Sequence, residues 1–132
     1  MPRTVGHPGY TESLPREPES AAAARRLVHI SLACWGLEAL AEDAALVVSE
    51  LVTNTVLHAR RESIRVTVIR PGPVSVRIAV VDFSKVPPQR RGATDDAEDG
   101  RGLAIVQHLA AAWGCDPLPW GKRVWAELRG GQ

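Results

Sequence analysis

Three stretches of the chain carry residue types that can do chemistry. The first is Ser49-Glu-Leu-Val-Thr-Asn-Thr-Val-Leu-His-Ala59, where Glu50, Asn54 and His58 recur every fourth residue. On a helix such side chains shift only about 40° per step, so a carboxylate, an amide and an imidazole line one edge. That edge borders the apolar face near Val47 and Leu51, at the margin of a core where a ligand could enter. An amide oxygen suits a hard cation such as Mg²⁺, and a nearby carboxylate can orient a water or accept a hydroxyl proton. An ordinary solvated stripe has the same spacing, and spacing alone leaves both readings open.

The second is Asp82. Strand parity puts Val74, Val76, Ile78, Val80 and Asp82 on one face, with Ser75, Arg77, Ala79 and Val81 on the other, more solvent-facing one. The aspartate therefore closes a core-facing row, where an unpartnered carboxylate is costly to desolvate. Either the strand end releases it to water, or a ligand supplies a donor such as the exocyclic amine of a purine. The third is Asp99-Gly-Arg-Gly-Leu103. Gly100 and Gly102 let the backbone approach a ligand, the start of a helix favours phosphate, and Arg101 can add a charge-assisted contact. A plain loop-to-helix junction reads the same way.

The elements that must position these residues follow from periodicity. A helix over Ala21–Cys34 is expected from Leu27, Ile30 and Cys34, with Ser20 as its cap and Gly36 at its left-handed end. A second runs from about Glu38 or Asp43 to Ala59, its apolar face being Ala44, Val48, Leu51, Val52, Thr55, Val56 and Ala59. Ile64–Arg70 and Val74–Asp82 alternate around Pro71-Gly72-Pro73 and read as an antiparallel hairpin. Residues 83–99 carry no core pattern and read as a lid or a disordered connection. A third helix is expected from about Gly102 to Ala112 on Leu103, Ile105, Val106 and Leu109, then short strands at Trp113–Asp116 and Arg123–Arg129. Residues 1–19, with four prolines and no periodicity, read as a flexible leader to a single domain over 20–132. The order ααββ–loop–αββ predicts an α+β two-layer sandwich, a mixed or antiparallel sheet covered on one face by three helices.

Composition narrows the classes. The 132 residues suffice for one core. Sixteen Lys and Arg against fifteen Asp and Glu leave +1, too balanced for a generic polyanion binder, so direct nucleic-acid binding is not expected. No apolar run reaches the roughly 20 residues of a bilayer span and no secretory signal is present, so a cytoplasmic location without membrane attachment is expected. Cys34 and Cys115 read as small buried hydrophobes in a reducing compartment. Trp35, Trp113 and Trp120 read as core and turn packing; parity sets Trp125 apart, opposite Val124, Ala126 and Leu128.

Taken in order, the three stretches resemble the GHKL (Bergerat-fold) ATPase superfamily, and more closely its short anti-sigma-factor/serine-kinase branch. The N box of that family is similar to Glu50-Leu-Val-Thr-Asn54 with His58-Ala59, the first glycine box to the stretch opened by Asp82, and the second to Gly100-Arg-Gly-Leu103. The resemblance spans about residues 20–129 and implies the Bergerat ATP-binding fold, ATP and Mg²⁺ as cofactors, and protein partners: a sigma factor, an anti-sigma antagonist, or both. It implies Glu50 as general base and Asn54 as the Mg²⁺ ligand. Asp82 would anchor adenine, Ser84 would lie near the base, and Gly100, Arg101, Gly102, Leu103 and His58 would complete the nucleotide site. The implied activity is transfer of phosphate from ATP to a serine or threonine of a small antagonist protein. The chain departs from the pattern in one place. The family's Asp-x-Gly-x-Gly is here Asp82-Phe-Ser-Lys-Val86, with Ser84 and Val86 in place of both glycines. That leaves a nucleotide-gated protein-binding module without kinase activity as the alternative. A homodimer is open, with the Trp35 and Leu37 region as apolar surface.

Overall fold

Strand pairing is carried by the alternation of apolar and polar residues in the middle of the chain. The computed structural model describes residues 8–58, 63–83, 103–119 and 121–130. Five strands form one antiparallel sheet: β1 (Gly9–Pro15), β2 (Ser63–Gly72), β3 (Ser75–Asp82), β4 (Ala112–Leu118) and β5 (Gly121–Arg129), in spatial order β1-β2-β3-β5-β4. The β2–β3 hairpin keeps Val66 opposite Val80 and Val68 opposite Ile78, with a register shift between Ile69 and Gly72 at the turn. On the far side of β3, Val80 faces Val124, Ile78 faces Ala126 and Val76 faces Leu128. All of these are buried, and all point to the side covered by helices.

Helix α1 (Ser20–Trp35) lies over β1 and β2, and α2 (Ala41–His58) lies against α1 and over β3 and β5. A third helix, α3, is described over residues 103–109 and sinks Val106 fully into the same core. Gly36 takes a left-handed conformation (φ 72°) and ends α1 as expected. Its N–H donates to Ala33 O at 3.2 Å and that of Leu37 to Leu32 O at 2.8 Å, the paired bonds of a Schellman end. A two-layer α+β sandwich is thus observed, with an antiparallel sheet and the helices on one face.

Several expectations are corrected. The flexible leader through residue 19 is not what forms: Gly9–Pro15 is an edge strand, pairing along its whole length with β2 from Gly9 opposite Ile69 to Pro15 opposite Ser63. Only Leu14 of this strand is buried, so backbone pairing rather than apolar periodicity defines it. Residues 1–7 lie outside the described residues. In α1 the buried stripe is Ala24, Val28, Ser31 and Leu32, while Ile30 is 60% exposed and Cys34 faces solvent. Small residues are inside because α1 packs directly on α2, and Ser31 loses no hydrogen bond there, its Oγ donating to Leu27 O at 2.7 Å. Ser20 is the first helical residue rather than the cap, and its hydroxyl donates to Pro15 O. Cys115 is exposed as well, so neither cysteine is a buried hydrophobe.

Packing of α2 between α1 and the sheet sets its energetic weight. Leu51, fully buried there, should cost about 2–5 kcal/mol when cut to alanine. Leu57 on the same helix is 71% exposed, and Leu57→Ala should stay within about 0.5 kcal/mol. Urea unfolding of the two variants checks the assignment of faces.

Candidate functional site

The helix-facing side of the sheet changes character at one end. β3 runs Val76, Ile78, Val80 into the core and finishes on Asp82, which is only 5% exposed. Its register neighbours are Ile64 on β2 and Lys122 on β5. The inward parity expected for Asp82 is therefore what the structure has. The carboxylate stays at the core margin and does not swing into bulk solvent.

Gly121, which the sequence pattern does not mark as a site residue, makes that placement possible. β5 begins there against the end of β3, so close that a Cβ on Gly121 would overlap the carbonyl oxygen of Asp82 and approach the Cα of Phe83 to 3.1 Å. A glycine between a tryptophan and a strand of alternating residues is the only signal, and it is not specific without the pairing partner in view.

α2 supplies the second wall. It packs over β3, and along its margin Glu50 and Asn54 are half-buried while Leu51, Val52 and Thr55 are buried. The edge position expected from the spacing is thus observed for these two. Thr55, inside, satisfies its hydroxyl by donating to Leu51 O at 2.8 Å. Beside Glu50, the hydroxyl of Ser49 accepts from Arg25 Nη1 at 2.8 Å, tying α2 to α1. Nearer the end of α2, Arg16 Nη1 donates to Val56 O at 3.2 Å. The backbone of His58 closes α2, and its side chain is outside what the structure describes. Leu103 opens the described part of α3, half-buried against the core. Ser84, Gly100, Arg101 and Gly102, together with residues 84–99 of the expected lid, lie outside the described residues.

The chemistry of the donor set fits a magnesium nucleotide. A buried carboxylate is acceptor-only and matches an amine that brings its own two protons. An amide oxygen at the margin of α2 matches a hard cation. Among the described residues no three His, Cys, Asp or Glu gather into a metal cluster. A cation on Asn54 would therefore share its other positions with phosphate oxygens and water, the usual arrangement for Mg²⁺.

An antiparallel sheet with helices on one face, an inward acid at a strand end and a polar-edged helix above it define a two-layer α+β sandwich with one polar margin. The family model for the histidine kinase-like ATPase domain matches residues 14–126, and the chain belongs to that family. The same match assigns ATP-binding character to the domain. Comparison with curated proteins finds no match. Among solved structures, the fold is similar to the RsbU and RsbW domains of Rv1364c from Mycobacterium tuberculosis, with a TM-score of 0.70 at 21% identity. That likeness covers 92% of this chain and 32% of the other, so the chain spans about a third of its structural relative. No described helix is long and apolar enough to cross a membrane.

Gly121→Ala tests the close approach. The added methyl has backbone rather than a flexible side chain to displace, so it should cost at least about 1–3 kcal/mol in urea unfolding.

Proposed function

We propose that this domain is an ATP-dependent serine/threonine protein kinase that acts as an anti-sigma-type regulator. The observation that carries the reading is the burial of Asp82 at the end of β3, on the helix side, beneath a helix whose margin holds Glu50 and Asn54. A carboxylate held inward at the core margin is an acceptor of the kind that an adenine amine can donate to. Bound ATP supplies the γ-phosphoryl group, with Mg²⁺ offsetting its charge. Asn54 would hold the cation, Glu50 would draw the proton from the substrate hydroxyl, and Asp82 would accept from the adenine amine. Gly100, Arg101, Gly102 and Leu103, by the resemblance of their stretch to a second glycine box, would carry the phosphates, with Ser84 near the base and His58 completing the nucleotide site. Sigma factors and their antagonists are the partner class that the resemblance implies, and a cytoplasmic setting goes with it. The partition into a leader over 1–19 and a domain over 20–132 gives way to one in which the domain includes β1.

A second reading rests on the first glycine box. Ser84 and Val86 replace its glycines, and a lid that opens and closes draws on the backbone freedom that glycine gives. In that reading the domain captures its protein partner when nucleotide is bound and transfers nothing.

Two measurements separate these readings. With Mg-ATP at a hundred times its Kd, the native state should gain about 2.7 kcal/mol, seen as a thermal shift that Asp82→Ala abolishes. Absence of a shift at millimolar nucleotide overturns both readings. Labelled γ-phosphate should then pass to a serine of the cognate antagonist. Glu50→Ala should lower that transfer about a hundredfold or more while leaving the thermal shift. Nucleotide binding and partner capture without transfer leave the second reading standing.

A further inference from the structure

The other face of the sheet is not a passive surface. Core residues of β2, β3 and β5 all point to the helices, so the odd-numbered positions Arg65, Thr67, Arg77, Ala79, Val81, Arg123 and Trp125 line the open side, where no described helix packs. They enclose a hollow of about 250 Å³, walled by Arg65, Arg77, Arg123 and Trp125 with Thr67 and Val81 on its floor.

Its cations are held in place rather than waving in water. The Arg77 guanidinium lies 4.8 Å above the Trp125 ring, and its Nη2 donates to Glu127 Oε1 at 3.0 Å. Stacking uses the flat face of the guanidinium and leaves its edge for acceptors. One edge donor, Nε, is buried and meets no acceptor among the described residues. Arg65 stacks on Phe83, again at 4.8 Å, and Arg123 is oriented by Asp116, its Nη2 donating to Oδ2 at 2.7 Å. Trp125 in turn lies flat because β4 has Gly114 opposite it, where a Cβ would come within 2.8 Å of the indole nitrogen.

From this arrangement we infer that the open face of the sheet is a docking site for an acidic, extended segment of a partner protein. Carboxylates of that segment meet Arg65, Arg77 and Arg123, and an intervening apolar side chain enters the hollow beside Trp125. Charge decides between occupants. Arg65, Arg77, Arg123 and Arg129 outnumber Asp116 and Glu127 on this face, so a second copy laid face to face would set arginine against arginine. Nucleic acid fits less well, because two carboxylates are interspersed among the arginines and the whole chain carries only +1. The site is independent of the nucleotide reading, since Asp82 has the opposite parity and faces the helices.

The test is fluorescence anisotropy on the full chain with a short fluorescein-labelled peptide alternating Glu with Leu. The controls are the Gln–Leu peptide and a labelled oligothymidylate. The acidic peptide should bind, the glutamine version should bind at least about tenfold more weakly, and added salt should weaken binding. Arg65→Glu and Arg123→Gln, both at exposed positions, should each lower affinity about tenfold while leaving the Mg-ATP thermal shift unchanged. Equal binding of the acidic and glutamine peptides overturns the proposal, as does affinity that ignores both substitutions. Tighter binding of the oligothymidylate overturns it in favour of nucleic acid. Sedimentation showing a wild-type dimer that Arg65→Glu splits assigns the face to a second copy instead.

Discussion

Everything in this domain depends on the two-residue period of β3. The strand sits in the middle of the sheet with β2 on one side and β5 on the other, so its register is fixed twice over. A slip of one residue would send Val76, Ile78 and Val80 to solvent and bring Arg77 inside, which burial on one face forbids. The same constraint makes Asp82 point inward at the end of the row. It also makes Arg77, Ala79 and Val81 point outward. One alternation thus places an acid beneath the helices and a set of stacked cations on the other side, and neither can move without the other.

What the sequence revealed follows from how directly each feature is written in local pattern. The hairpin was legible because both of its strands alternate around a Pro-Gly-Pro stretch, and the parity of Asp82 came with it, although β2 runs on through Gly72 and the turn itself takes in Pro73 and Val74. The end of α1 was legible in Gly36, since only glycine takes a left-handed position at no steric cost. The edge of α2 was legible because Glu50 and Asn54 interrupt a long apolar stretch at helical spacing. β1 was illegible for the opposite reason. Six of its seven residues are exposed, so its strand state lies in backbone bonds to β2, residues far away in the chain. Large apolar side chains such as Ile30 drew the helix face of α1 the wrong way. Close packing against α2 favours Ala24, Val28 and Ser31, and small residues give a weak periodic signal.

The site divides along the same line. Residue type and spacing pointed to Asp82, Glu50 and Asn54, whereas Gly121 became visible only once β5 was seen to start against the end of β3. Close approach between backbones is a property of pairing, and a lone glycine in a turn-rich stretch does not announce it. The stacked arginines were equally hidden. Arg65, Arg77 and Arg123 lie on three strands, and only the register brings two of them to aromatic rings and two to carboxylates. Parity had put Arg77 on the outer side of its strand and had set Trp125 apart, but the contact between them needs the register of β3 with β5.

An open sheet face needs some device that keeps it from becoming a second core, and the charged positions provide it. Glu127 is 7% exposed yet receives Arg77 from the neighbouring strand and Arg129 from its own. Directly opposite charges on adjacent strands stabilise the pairing, and losing either arginine would leave a nearly buried carboxylate short of partners. The face therefore remains polar at a cost already met within the sheet, while Trp125 and Val81 keep an apolar floor between the charges. The edges are guarded by other means. β1 ends on Pro15 and β4 carries Pro117, each removing a backbone donor from an outer strand. With both edges blunted and one face covered by helices, the face that stays open is the one where the arginines stand in fixed positions.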